Sequence, residues 1–324
     1  MAKAKEDTKE SELLKISGIG ETTLAKLETN GISTLMTLAT QSPSTIADMC
    51  GISENVARKL IKEARDSLKL GFTTAYEYFK DSNKEKRLTT GCNVFDEMLG
   101  GGFKPGHINE LYGQYGTGKS NLAHLLVVRA LAEDKSAKAL YIDTENCVSV
   151  DRFKDFARAN DMDEEDTIKR INIARAYNME HQMLLMDEVT KIVQEDKNYK
   201  ILIVDSLTSH ARAEKIGRGE LASRQQLLNK HMHDIIRVID MHNLFCFVTN
   251  QVSSSPGTFY GDPIAPVGGN VVGHNSAVRI YLRPSKAGSI KAIVMDAIDL
   301  PRNECNYYIT KDGISEEEPK KEEK

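Results

Sequence analysis

The chain has 324 residues, 40% hydrophobic and 28% charged, with a formal net charge of −4. That balance describes a soluble globular protein with room for one large and one small domain. It excludes a polycation that coats nucleic acid wholesale, but not a local basic patch, because the field depends on how charges are arranged. Five cysteines (Cys50, Cys92, Cys147, Cys246, Cys305) form no CxxC pair and read as reduced, mostly buried thiols. The start MAKAKEDTKESELL is charged and has no apolar centre, and no apolar run reaches the roughly eighteen residues of a membrane span. A cytoplasmic protein is expected.

In chain order, residues 1–12 and 315–324 are polar and read as disordered tails. Residues 13–68 read as a compact helical domain, short apolar-periodic segments joined by Gly-rich turns. The turn Gly18-Ile19-Gly20 resembles the helix-hairpin-helix module, whose backbone amides can hold a DNA phosphate; a protein-contact domain is the other reading. Residues 69–89 read as a linker carrying Phe72, Ala75, Tyr76 and Phe79, which need burial against their own domains or on another subunit.

From residue 90 to 314 the pattern is α/β. HINELYG (107–113) alternates into a glycine-rich turn, and the following segment reads as helical. KALYIDTE (138–145), KILIVDSL (200–207) and NLFCFVTNQ (243–251) read as strands ending in polar residues. NSAVRIYLRPS and SIKAIVMDAI read as an alternating pair. Strands separated by helices imply a mainly parallel sheet with its chemistry at the strands' carboxyl ends.

Gly113 to Ser120, GQYGTGKS, is a complete GxxxxGK[ST] match between a strand and a helix. Its residues Gly113, Gln114, Tyr115, Gly116, Thr117 and Gly118, with Asn121 behind, bring backbone amides onto phosphate. Lys119 reaches the outer phosphates of ATP, and Ser120 can ligate Mg2+. Asp205 closes ILIVD and suits a magnesium held through water. Glu145 is the candidate for activating the attacking water, with a capping role as the alternative, and Asn250-Gln251 is placed to sense the γ-phosphate.

Two segments leave the same sheet edge. SHARAEKIGRGELASRQQ gathers Arg212, Lys215, Arg218 and Arg224. The stretch from Gln251 to His274 is long and rich in Gly, Pro and Ser, with Phe259, Tyr260 and the pair Gly268-Gly269. Loops of that length are commonly functional, and these amides, aromatics and arginines can meet single-stranded nucleic acid; for the arginines alone a solvated surface is nearly as good a reading.

Taken together these motifs resemble the RecA-like strand-exchange recombinases of archaea and eukaryotes, over nearly the whole chain. The resemblance implies an α/β RecA-like P-loop ATPase core with a small all-helical helix-hairpin-helix amino-terminal domain. It implies filaments or rings on single-stranded DNA, pairing with homologous duplex DNA, ATP and Mg2+ with K+ as a further candidate cation, and recombination mediators as partners in an archaeal cytoplasm. Phe72 and Ala75 take the place of the polymerisation motif, Arg152 that of an arginine packing on adenine, and His274 that of a link between DNA loop and nucleotide. Asp296 and Pro301 bound the segment that caps ATP from the neighbouring subunit, and Glu145, Lys119 and Gln251 fall on the catalytic positions. A diverged paralogue with weak strand exchange and a nucleotide-gated assembly protein without DNA activity are the alternatives. The chain departs from the family pattern at Cys147–Val150 (within CVSVDR, whose last arginine is kept), at Ser255 before Pro256, and at Ala297–Arg302 (within DAIDLPR).

Overall fold

The structure, a computed structural model, describes residues 11–68, 70–82, 85–214, 221–254 and 264–319. The chain divides into two compact units between residues 84 and 85.

In the first unit a 3-10 turn at Glu12–Lys15 precedes α1 (Glu21–Thr29), α2 (Leu35–Ala39), α3 (Pro43–Cys50), α4 (Glu54–Ser67) and α5 (Ala75–Ser82). The hydroxyls of Thr34, Ser42 and Ser53 cap α2, α3 and α4 by accepting from the third residue on, satisfying amides that a helix start otherwise leaves open. Leu27, Leu38, Ile46, Leu60 and Ile61 form its core. Within the segment expected as a linker, α5 forms over Ala75–Ser82.

The second unit contains α6 (Asn93–Met98), β1 (Ile108–Gly113), α7 (Lys119–Ala132), β2 (Lys138–Asp143), α8 (Val150–Ala159), α9 (Glu164–Lys169), β3 (Ile171–Arg175), α10 (Met179–Glu195) and β4 (Tyr199–Asp205). It continues through α11 (Ser209–Glu214), α12 (Leu221–His242), β5 (Phe245–Ser254), β6 (Ile264–Pro266), α13 (Gly269–Asn275), β7 (Val278–Pro284), β8 (Ile290–Ala297), β9 (Glu304–Ile309) and β10 (Ile314–Ser315). The sheet order is β10-β9-β8-β7-β1-β5-β4-β2-β3, with β6 paired to β5. Strands β3, β2, β4, β5, β1 and β7 run parallel, while β8, β9 and β10 return antiparallel. Ser315 pairs with Tyr308, so pairing runs one residue into the segment expected as a tail.

Strand β4 shows why its sequence is uniformly apolar. Ile201 and Ile203 enter the core with α7, whereas Leu202 and Val204 face the core with α10 and α12. Successive side chains point to opposite faces, and both faces are covered. The same holds for β1: all six of its residues are buried, so its apparent alternation does not mark a solvent face. Four of the five cysteines are partly or fully buried; Cys147 is the exposed one.

One ionisable group is enclosed between α10 and α12. His231 Nε2 accepts from Gln182 Nε2 at 3.0 Å, and the amide also donates to the Leu207 carbonyl at 3.2 Å. Burial drives the His231 pKa from 6.5 to about 4. The folded chain therefore binds the proton less readily than the unfolded chain, and the stability from this neutral imidazole, complete above 6.5, is lost as pH falls toward 4. His231→Gln should flatten the fall in melting temperature between pH 6.5 and 4.5, read by circular dichroism; an unchanged acid slope would contradict it.

Candidate nucleotide site and loop roots

The glycines of the phosphate loop answer to local crowding. A Cβ on Gly113 would lie 2.2 Å from the Leu282 carbonyl oxygen of β7, and Gly116 and Gly118 hold φ of +78° and +81°, where side chains are strained. Thr117 Oγ1 donates to the Gln114 carbonyl at 2.8 Å, closing the turn, while Gln114, Tyr115 and Gly116 are exposed. Lys119 Nζ donates to the carbonyls of Gly113 and Gln114 at 3.0 and 2.9 Å. Burial presses this amine below its ordinary value, opposed by the Asp205 and Glu145 carboxylates.

Asp205 is buried and accepts on both oxygens. Ser120 Oγ reaches Oδ1 at 3.1 Å and Thr249 Oγ1 bonds the same oxygen; Tyr141 OH reaches Oδ2 at 2.6 Å and Cys147 Sγ at 3.5 Å. Partial desolvation first, and then the adjacent Asp205 and Asp143 carboxylates, push the Cys147 pKa up to about 12, so the sulfur, although its residue is exposed overall, acts here as a neutral donor. No cluster of three or more His, Cys, Asp or Glu that would hold a metal exists among the described residues. One hydroxyl and one fixed carboxylate fit a hard divalent cation that takes its remaining ligands from phosphate and water.

Glu145 stands two residues beyond the end of β2, which closes at Asp143 rather than at the glutamate. Its Oε1 accepts from Ser206 Oγ at 2.7 Å and from Gln251 Nε2 at 3.1 Å. Arg152 is held at the start of α8, donating to Asn121 Oδ1 and to the carbonyls of Thr310 and Lys311 while lying 4.2 Å over the Phe156 ring. Behind it, His124 Nε2 accepts from the Ser149 amide at 3.1 Å, tying α7 to α8.

Asn250 departs from its expected role. Side-chain alternation along β5 turns it away from Thr249 and Gln251 to the α12 face, where it is fully buried. Its Nδ2 donates to Glu110 Oε1 at 2.8 Å and to the Val267 carbonyl at 2.7 Å, and its Oδ1 accepts from Thr208 at 2.8 Å. Asn250 therefore clips the roots of the two loops together, and only Gln251 reaches Glu145. Glu110, also fully buried, is paired with Arg279 Nε at 2.7 Å.

The remaining expected residues fall in separate places. Arg212 is exposed on α11, Arg224 is half-buried on α12, and His274 is exposed on α13. Gly268 (φ +90°) and Gly269 (φ +54°) open α13, and a Cβ on Gly268 would lie 2.6 Å from Val272 and 3.1 Å from Leu228. Lys215, Arg218, Ser255, Pro256, Phe259 and Tyr260 lie outside the described residues. Asp296 of β8 lies opposite Arg279 of β7 in the antiparallel ladder, and the neighbouring Asp299 is ion-paired with Lys104, just ahead of β1. Asp296 and Pro301 are thus toward the amino ends of β1 and β7, away from the phosphate loop of the same chain. In the first unit, the exposed Phe72 precedes α5, which Ala75 opens, and the Ser17 amide beside the Gly18–Gly20 turn donates to the Glu63 carboxylate at 3.0 Å.

Sequence reasoning missed Ser206, Thr249, Tyr141 and the Glu110–Arg279 pair. For the last, a signal existed: an acid and an arginine each interrupting an apolar strand imply a buried partner.

Residues 83–317 match the Rad51 family model, and residues 10–66 match that of the SAM-like helix-hairpin-helix tandem. The chain is 41% identical over 318 residues to the DNA repair and recombination protein RadA of Aeropyrum pernix, covering 97% of this chain and 99% of that one. It is 38% identical over 323 residues to the protein of the same name from Metallosphaera sedula, covering 98% and 100%.

Arg279→Ala strands the Glu110 carboxylate without its counter-charge and should destabilise the larger unit by about 3–5 kcal/mol. Denaturant unfolding checks this, and a loss below about 1 kcal/mol would show the pair to be dispensable.

Proposed function

The chain belongs to the Rad51 family, and from that premise we propose how this ATP-dependent DNA recombinase of DNA repair uses its parts. The observation that carries the reading is the split of the ATP site between opposite ends of one sheet. The phosphate loop, Ser120, Glu145 and Asp205 gather at the carboxyl ends of β1, β2 and β4, with Gln251 on β5 level with Gly113, whereas Asp296 and Pro301 lie toward the other end. A single chain does not close this site over ATP; two successive copies do, one giving the phosphate loop and the other the cap.

Binding begins with the amides of Gly116–Ser120 and the Lys119 ammonium on the phosphates, with Arg152 and Asn121 beside the base. A divalent cation, Mg2+ in this proposal, would be held by Ser120 directly and by Asp205 through water, and would neutralise charge building on the phosphates. Glu145 accepts the proton of the attacking water. Gln251 joins that carboxylate to the loop it begins, and Asn250 ties the same loop to the root of the arginine-bearing segment. Nucleotide and single-stranded DNA are thereby read by one connected set of strand ends, and exchange with a homologous duplex proceeds on the ordered strand. No helix among the described residues is long and apolar enough to cross a membrane.

Self-association has its own support. Strand β3 is one edge of the sheet, and grooves with largely aliphatic side chains in their walls flank both its faces. One, of about 480 Å³, is lined by Leu140, Ile142, Leu185 and Val189; the other, of about 330 Å³, by Val150, Phe153 and Ile168. Ile173 is shared by both grooves and exposed. An open edge with apolar walls accepts an added strand, and Phe72 and Ala75 of a neighbouring copy are the proposed occupants.

Strand exchange between a single strand and a homologous duplex, with ATP and Mg2+, tests the whole reading; DNA binding without exchange would overturn it. Phe72→Ala should convert assemblies to monomers by light scattering, and unchanged mass would exclude the linker as the joint. Arg212→Ala with Arg224→Ala should weaken single-strand affinity about tenfold and lower the salt slope by about 0.7 per lost contact, with ATP affinity unchanged. Equal slopes would remove both arginines from the DNA surface.

A further inference from the structure

We infer that Ser206 is a positioning residue for ATP hydrolysis, its hydroxyl fixing one oxygen of Glu145 so that the other is presented to the attacking water. The inference rests on the proposed role of Glu145 and adds a residue that acts through it.

Ser206 follows Asp205 directly, where β4 ends, and is buried. Its φ of +66° lies in the left-handed region, which a non-glycine residue occupies only when its surroundings impose it. Two strands do so. From β5, Thr249 Oγ1 accepts the Ser206 amide at 2.7 Å, and the Thr249 carbonyl accepts the Leu207 amide at 3.0 Å. On the β2 side, Thr144 Oγ1 lies 2.9 Å from the Asp205 carbonyl oxygen and 3.0 Å from that of Ser206. If the turn alone were needed, glycine would fill it without strain. Serine adds a hydroxyl, and the imposed backbone aims it at Glu145 Oε1 across 2.7 Å.

The carboxylate is then held unevenly. Oε1 takes the Ser206 hydroxyl and the Gln251 amide at 3.1 Å, while among the described residues Oε2 has only the longer Gln251 contact of 3.4 Å. Glu145 is an exposed, long side chain with several rotamers to lose on being fixed. Thr144, whose hydroxyl grips the Ser206 turn, is its chain neighbour, so the two residues are positioned by the same contacts. The result is a carboxylate with one oxygen anchored and the other open, which is how an orienting partner makes a general base effective.

The test uses the full chain with Mg2+ and saturating single-stranded DNA, and compares Ser206→Ala, Ser206→Gly and Glu145→Gln. Both serine variants should lose about tenfold in kcat for ATP, a loss usual for such orienting partners, with KM unchanged. They should lose it equally, although glycine relieves the backbone and should melt higher than alanine. Adding Ser206→Ala to Glu145→Gln should cause no further loss, because the hydroxyl acts only through that carboxylate. A glycine variant with normal kcat, or activity that follows melting temperature, would reduce Ser206 to a structural turn. Glu145→Gln inactive beside an unaffected Ser206→Ala would overturn this inference alone. A fully active Glu145→Gln would overturn it together with the role proposed for Glu145.

Discussion

Burying both faces of a parallel sheet leaves only the strand ends free for chemistry, and the rest of this protein follows from that constraint. Strands β1, β4 and β5 are packed between the α7 core on one side and the α10–α12 core on the other. Their middles must be apolar or internally paired. Asp205 and the residues from Gly113 onward stand where β4 and β1 stop, and Thr249 lies on β5 just past its pairing with β4, so the phosphate loop, the carboxylates and both loop roots crowd one edge. Adjacency of the phosphate loop and the two loop roots is a consequence of this packing rather than of a separate interface.

The period of two along a strand then divides labour between neighbours. On β5, Thr249 faces Asp205, Asn250 faces the opposite core, and Gln251 returns to face Glu145. Three consecutive polar residues therefore serve three separate places: the carboxylate beside Ser120, the loop roots, and the Glu145 carboxylate. The buried Arg279–Glu110 pair is tolerable because Glu110 also receives the Asn250 amide, and an unpaired charge at that depth would be costly. Register matters here more than contact strength, since a shift of one residue would exchange these assignments.

The opposite end of the sheet carries the segment from Asp296 to Pro301 that follows β8, tied down by Lys104 and Asp299. Because β8 returns antiparallel beside β7, the chain is sent away from its own phosphate loop before Asp296. Under the proposed function, that reversal is what leaves the ATP site to be completed by a second copy.

Several features were legible in the chain itself. GQYGTGKS declares its geometry because only glycines fit against Leu282 and at positive φ, and only a lysine and a small hydroxyl meet phosphate and cation. Runs such as ILIVD announce buried strands, since a surface strand would alternate. What could not be read locally were partners brought together across the sheet. Nothing near Ser206 in sequence indicates that its backbone is forced left-handed by Thr249 and Thr144, or that its hydroxyl meets Glu145, 61 positions away. Nor does the pair Asn250-Gln251 reveal which member faces the nucleotide edge, because that depends on register against β1 and β4. The sequence by itself determined which residue types stand at each strand end; the tertiary structure decided which of them touch, because hydrogen-bond geometry is set by strand order and pleat rather than by distance along the chain.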